Sequence, residues 1–351
     1  MSLRAEFPVC ERAAFLNTGS NGPVPRRAAA AAQDELEYQA TAGRHTAYFA
    51  RRQELADRQR SAYAGLLGCE PGEVSLTTGT TMGIATVASA FGRGDVIVTS
   101  DEEHPGVYGP LGEARRRGAE VVVVPFDRLA DAVEVSTTAV LCSHVSWITG
   151  CIAPAALASV GVPVIYDGAQ GVGAVPVDVR MLDCAAYAGS GQKWLCGPDG
   201  SGMLYVAPAF RERVPSLVAS YVTLSEPAAG LDAVRWPDGR AWDAPAIAGE
   251  TSRFALASLD VLAEAGWDEV HTRAVELAAR LASMLEEAGH TVRGRGDTTL
   301  VAWECDDAEA VNERAREAGV LIRFLPGRGL LRASVGAWND DSDLERLLAA
   351  L

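Results

Sequence analysis

The sequence predicts an α/β chain: a mostly parallel central sheet with helices on both faces, plus a smaller C-terminal α+β domain. Three observations carry this. Runs rich in Val and Ile alternate with helix-like stretches between about residues 73 and 206, the pattern of βαβ units whose strands are buried on both faces. After "SGMLYV" the rhythm changes to two long helical stretches followed by short strands. With 351 residues, 48% of them hydrophobic, the chain can bury a large core in one unit or two.

The elements follow in order. Residues 26–42, Ala-rich, and 46–67, densely charged, read as helices. "EVSLTT" is a strand that runs into a helix over "TMGIATVASAF". "DVIVTS" is a strand, "GVYGPLGEARRRG" a helix and "AEVVVVP" a strand. "TAVLCSHVS" is a strand, "PAALASVG" a short helix and "VPVIYD" a strand, with "SGMLYV" closing the series. Residues 247–265 and 267–288 read as long helices. "TTLVAWE" is then a strand, 307–318 a helix, "GVLIRF" and "GLLRASV" strands, and 341–350 a helix. The change of module falls near 245–250, and no internal repeat stands out.

Composition narrows the function classes. A net charge of −15 argues against nucleic acid and anionic membranes as partners. No apolar run approaches the roughly 20 residues that span a bilayer. The opening "MSLRAEFPVCERAAF" has no apolar signal core, so no signal peptide is expected. Seven cysteines are odd in number, scattered, and never spaced Cys-x-x-Cys. Neither a zinc site nor a disulfide framework is indicated, and a reducing cytoplasm is the expected location.

Chemistry enters at "SGQKWLCGPDGSG". Lys193 is the only lysine in a chain whose other basic residues are all arginine. Arginine serves surface charge equally well; only a lysine amine can shed its proton and form an imine. Asp167 ends "VPVIYD", at the strand edge where open α/β sheets bind ligands. Alone it reads as a turn or cap aspartate. Together with Lys193 it matches the needs of pyridoxal phosphate, which takes a lysine for the Schiff base and a carboxylate against the ring nitrogen. In "SLTTGTTMGIATVASAF" a strand meets a helix start through Gly79, Thr80 and Thr81, a setting suited to a phosphate. In "SDEEHPGVYG", His104 follows a strand at the same edge, where an imidazole can stack on an aromatic cofactor.

In sequence order, "TTGTT", "SDEEHPG", "HVSWITG", "DGAQGVGAVPVD", "SGQKWLCGPDGSGMLYV" and "LRASVGAWNDDSDLERLL" resemble class V aminotransferases, the cysteine-desulfurase-like branch of fold-type I pyridoxal-phosphate enzymes. The opening "FLNTGSNGPVP" is similar to the isopenicillin-N-epimerase-like and C–S-lyase-like members. The resemblance implies an N-terminal segment (1–20) packing with the small domain, a large cofactor-binding domain (21–248) and a small C-terminal domain (249–351). It implies that Lys193 carries the Schiff base and shuttles the Cα proton, with Asp167 holding the ring nitrogen protonated. By the same resemblance Gln170 meets the phenolic oxygen and His104 stacks on the ring. Thr80, Ser190 and Gln192 take the phosphate, with Gly79 and Thr81 beside them. Arg332 clamps the substrate α-carboxylate, a task that suits a bidentate guanidinium. Asn17 to Asn21 line the entrance, and a homodimer with shared active sites is implied. Two positions depart from the family: Gln192 stands where many relatives have His, and Trp147 where many have Asn. An indole cannot copy an amide's hydrogen bonding, so Trp147 is read as packing. Cys196 is read as a structural thiol.

The implied substrate is an amino acid or amine. Transamination needs only the residues already named and is the first expectation; C–S lysis or epimerisation is the alternative. A regulator that binds the cofactor without turnover is the different-class reading, disfavoured by the absence of a basic patch and by the presence of Arg332. Persulfide-forming desulfurases need a mobile cysteine upstream of the carboxylate-binding arginine. "GVLIRFLPGRGLLRASVG" has none, and Cys305 sits in the strand-like "LVAWECD".

Overall fold

The computed structural model describes residues 2–351. A short strand β1 (Ala14–Phe15) precedes helices α1 (Arg26–Ala42) and α2 (Thr46–Leu67). The central region then runs β2 (Val74–Thr77), α3 (Thr80–Ala88), β3 (Val96–Ser100), α4 (Pro105–Arg116) and β4 (Glu120–Val124). It continues through β5 (Ala139–Ser143), β6 (Val164–Asp167), β7 (Ala186–Ser190) and β8 (Gly202–Val206). These strands form one seven-stranded sheet in the order β2-β8-β7-β6-β5-β3-β4. Only β8 runs against its neighbours.

Strand alternation feeds two hydrophobic layers. Val140, Cys142, Tyr166 and Tyr187 point into the layer that holds Tyr63 and Leu67 of α2. Leu141, Ile165, Ala186 and Ala188 point into the layer that holds Ile84 and Val87 of α3 and Leu111 of α4. Strand β7 has no run of branched residues to announce it, and sequence patterning passes over it. Its small side chains let α3 press close: a Cβ on Gly83 would lie 2.7 Å from the Cβ of Ala188.

The remainder comprises α5 (Gly249–Ala265), α6 (Trp267–Glu287), β9 (Leu300–Glu304), α7 (Ala308–Glu317), β10 (Val320–Leu321), β11 (Arg323–Leu325), β12 (Leu330–Ser334) and α8 (Asp341–Ala350). Strands β11-β12-β9 form an antiparallel sheet. The single strand expected over "GVLIRF" is broken at Ile322. Val320–Leu321 pair with β1, whereas Arg323–Leu325 pair with β12. The N-terminal segment is therefore tied to the C-terminal module, and Asn17 bridges to Ser334 as well. Helix α5 packs mainly along α1 and α2, so it lies between the two modules.

Candidate functional site

The carboxyl ends of β2, β3, β5, β6 and β7 open onto one cavity of about 730 Å³. Its wall includes all twelve residues singled out from sequence, drawn from segments as far apart as Asn17 and Arg332. The parallel run of strands is the cause: it delivers every loop that follows a strand to the same edge.

Lys193 lies in the tight turn after β7. Backbone bonds pin that turn: Gly191 N–H to Ser201 O (2.9 Å), Gly197 N–H to Gly191 O (2.9 Å) and Cys196 N–H to Lys193 O (3.1 Å). Cys196 closes it in a left-handed conformation, φ 52, which a non-glycine residue adopts at some cost. The N-terminal segment braces the turn from outside, with Gly22 N–H donating to Gln192 O at 2.7 Å. A Cβ on Gly22 would stand 2.1 Å from Lys193 O, so only glycine allows this approach. Burial lowers the Lys193 ammonium to about 8; Asp167 opposes the shift, and Arg332 and Arg323 add to it. The amine of an ordinary lysine reacts fully only above pH 10. Acylation of Lys193 in cofactor-free protein, followed by peptide mass spectrometry, is expected to rise through a midpoint near pH 8. A midpoint above 10 would contradict this environment.

Asp167 ends β6, and its Oδ1 accepts the Ala169 N–H at 2.8 Å. Burial raises its pKa, with Lys193 and the Ala169 N–H pulling the other way. Gln170 is held at both ends: its Nε2 donates to Gly19 O (2.8 Å), and its Oε1 accepts from Trp194 Nε1 (2.9 Å). One amide N–H remains for a ligand.

The start of α3 has no side-chain cap. Beside it, Thr80 Oγ1 and Ser190 Oγ lie 2.6 Å apart. Gln192 lines the same cavity, and its Oε1 is buried without a partner. An uncapped helix end, two hydroxyls and an unsatisfied amide fit a phosphate. With a carboxylate and an amine across the cavity, the donor set fits pyridoxal phosphate.

His104 caps α4, its Nδ1 accepting the Gly106 N–H at 3.0 Å. In the neutral ring the proton is therefore on Nε2. Burial, then the charges of Lys193, Arg323 and Arg332, depress its pKa to about 4. Trp147 meets the His104 ring edge-on, centroids 5.1 Å apart at 88°. It also packs beside Ile148, Leu325 and Leu330, and its carbonyl accepts from Arg332.

Sequence reasoning missed two residues here. Arg323 lines the cavity, although the sequence assigns it only to a strand. Glu103 lies immediately before His104 and is 1% exposed. Its carboxylate accepts from Ser100 Oγ (2.5 Å), Ser143 Oγ (2.6 Å) and Ser143 N–H (3.0 Å), which fixes the loop carrying His104. Its signal was the third acid of "DEEH", in the loop that follows a strand at the sheet edge. Burial raises its pKa to about 7, the serine donors opposing. The folded form therefore holds the proton more tightly, and stability is lost as pH rises toward and through 7. Wild type is expected to lose on the order of 1–3 kcal/mol relative to E103Q between pH 5 and 8. Parallel denaturation curves for the two proteins across that range would contradict it.

The "Aminotransferase class-V" family profile matches residues 15–347. The chain is 28% identical to the isopenicillin N epimerase of Streptomyces clavuligerus, over 96% of this chain and 93% of that protein. It is 32% identical to a cysteine desulfurase of Escherichia coli O7:K1 (strain IAI39 / ExPEC), over 64% of this chain and 63% of that one. A C-DES variant with glycine covalently linked to its pyridoxal phosphate cofactor superposes with a TM-score of 0.92 and 24% identity, covering 99% of this chain and 98% of the other. The chain belongs to the class V aminotransferase family, as a fold-type I enzyme that works with pyridoxal phosphate.

Proposed function

We propose that this enzyme is a C–S lyase, removing the Cα proton of a sulfur-containing amino acid and eliminating the Cβ sulfur. Transamination, the first expectation from sequence, yields place because the named relatives are an epimerase and cysteine desulfurases. The observation that carries the lyase reading is that, among the described residues, no cysteine lines the cavity. Cys305 lies just beyond β9 and lines a different cavity with Arg328 and Asp101. Cys196 is fully buried, and burial pushes its pKa well up, which leaves it inert. A relative of C–S-cleaving enzymes without a thiol at the site has elimination as its route.

Bound pyridoxal phosphate supplies an electron sink that lets the Cα–H bond break. Thr80, Ser190, Gln192 and the start of α3 hold its phosphate, and Asp167 holds a proton on its ring nitrogen. Arg332 orients the substrate by its α-carboxylate, and Asn17 and Asn21 shape the entrance. The Lys193 amine, lowered by burial, takes the Cα proton at Nζ. The electron pair left at Cα forms the Cα–Cβ double bond as sulfur departs with the C–S pair. Neutral His104 offers Nε2–H to the departing sulfur without adding a fourth positive charge to the cavity.

The test supplies cystine and S-substituted cysteines with and without a keto acid. Pyruvate and ammonia formed without an acceptor support the lyase. Amino transfer that depends on the keto acid would restore the transaminase, and a racemised substrate would favour the epimerase. Loss of activity in C305S would restore the desulfurase. A homodimer belongs to the same proposal: exposed Phe49 and Tyr221 share an open groove of about 530 Å³ that a second copy can cover. Light scattering that shows a fully active monomer would remove it.

A further inference from the structure

Arg323 and Arg332 face each other directly across the β11–β12 pair. Both residues line the cavity, and among the described residues its only carboxylate is Asp167. Among the described residues neither forms an ion pair. Arg332 is 1% exposed; one of its nitrogens donates to Trp147 O, and its Nε has no partner. Burial, then the neighbouring charge of Arg323, lowers its pKa to about 9. Arg323 is held in place: its Nη1 donates to Ser20 Oγ (3.2 Å), and that hydroxyl donates to Asn17 Oδ1 (2.8 Å). The Ser20 proton is thus committed, and Ser20 faces Arg323 with a lone pair.

Two unpaired cations side by side in a partly dry cavity repel each other and cost stability. They persist where a ligand supplies the missing charge. The phosphate has its own donors at the start of α3, and one α-carboxylate needs one guanidinium. The other guanidinium is left over.

We propose that Arg323 selects substrates whose side chain ends in a second anionic group, so that the enzyme takes amino acids carrying a distal carboxylate. This rests on the lyase reading above, in which Arg332 holds the α-carboxylate. In that arrangement Arg323 reads the far end of the side chain, and a cavity of about 730 Å³ has room for both ends.

The experiment follows the visible absorption of the cofactor-loaded enzyme as S-carboxymethylcysteine or S-ethylcysteine is added, which gives dissociation constants without relying on turnover. Wild type is expected to bind S-carboxymethylcysteine about 10- to 100-fold more tightly, a span typical of one desolvated charge pair. R323Q is expected to abolish that preference while leaving S-ethylcysteine within about threefold of wild type. R323K, which keeps the charge, is expected to retain part of the preference. R332Q is expected to weaken both ligands. Equal weakening of both ligands by R323Q would overturn the proposal by placing Arg323 at the α-carboxylate. No preference in wild type would also overturn it. If R323Q does not take up cofactor, R323K and S20A decide: a preference unchanged in S20A and stronger than wild type in R323K would overturn it. A spectrum that no amino acid perturbs would instead sink the lyase reading on which the proposal rests.

Discussion

Replacing Lys193 by alanine is expected to abolish turnover. Loss of the proton acceptor alone removes roughly 10²–10⁴-fold, and the covalent attachment point for the cofactor goes with it. No other side chain can substitute, because the sequence holds no second lysine. Borohydride treatment followed by intact-protein mass spectrometry is expected to add the cofactor mass to wild type and nothing to K193A. Lys193 is half-buried, and its charge opposes the rise of Asp167's pKa. The variant is therefore expected to hold the cofactor more weakly as well. A K193A protein that still traps the cofactor would contradict the assignment.

Arg332 gives the second large effect, with two opposite signs. R332Q is expected to lower kcat/KM by about 2–5 kcal/mol, roughly 30- to 4000-fold, because an amide cannot replace a bidentate guanidinium on a carboxylate. The cofactor-free protein is expected to gain stability, by up to about 2 kcal/mol, because a buried charge without a counter-ion is removed. Burial, then the charge of Arg323, makes the folded state hold the Arg332 proton less tightly than the unfolded state does. Equal stability of the two cofactor-free proteins at pH 7 would contradict the reading of an uncompensated cation.

The sheet was legible because its strands are mostly buried on both faces and written in Val and Ile. Strand β7 was not, because close packing by α3 demanded Ala and Gly in its place. The cavity residues were legible where a strand end, a turn and a polar side chain fall within a few positions, as in "IYDGAQ" and "SGQKW". Arg323 lies nine residues before Arg332, in the first of two stretches that read as separate strands. The register of the hairpin they form, which sets the two arginines opposite each other, is not written in the apolar pattern. The break at Ile322, where β10 leaves to pair with the N-terminal β1, joins residues more than three hundred positions apart, and local pattern carries no trace of it. Glu103 was hidden for a related reason: its three donors come from Ser100 and Ser143, on two different strands.

The central claim, elimination at Cβ without a protein thiol, meets its most direct test in heavy water. Cystine and S-carboxymethylcysteine are incubated with the loaded enzyme in D₂O without a keto acid, and the products are read by proton NMR. Elimination predicts pyruvate carrying deuterium in its methyl group, with one ammonia for each C–S bond cleaved. Deuterated alanine, or a keto acid that still holds its sulfur, would contradict it.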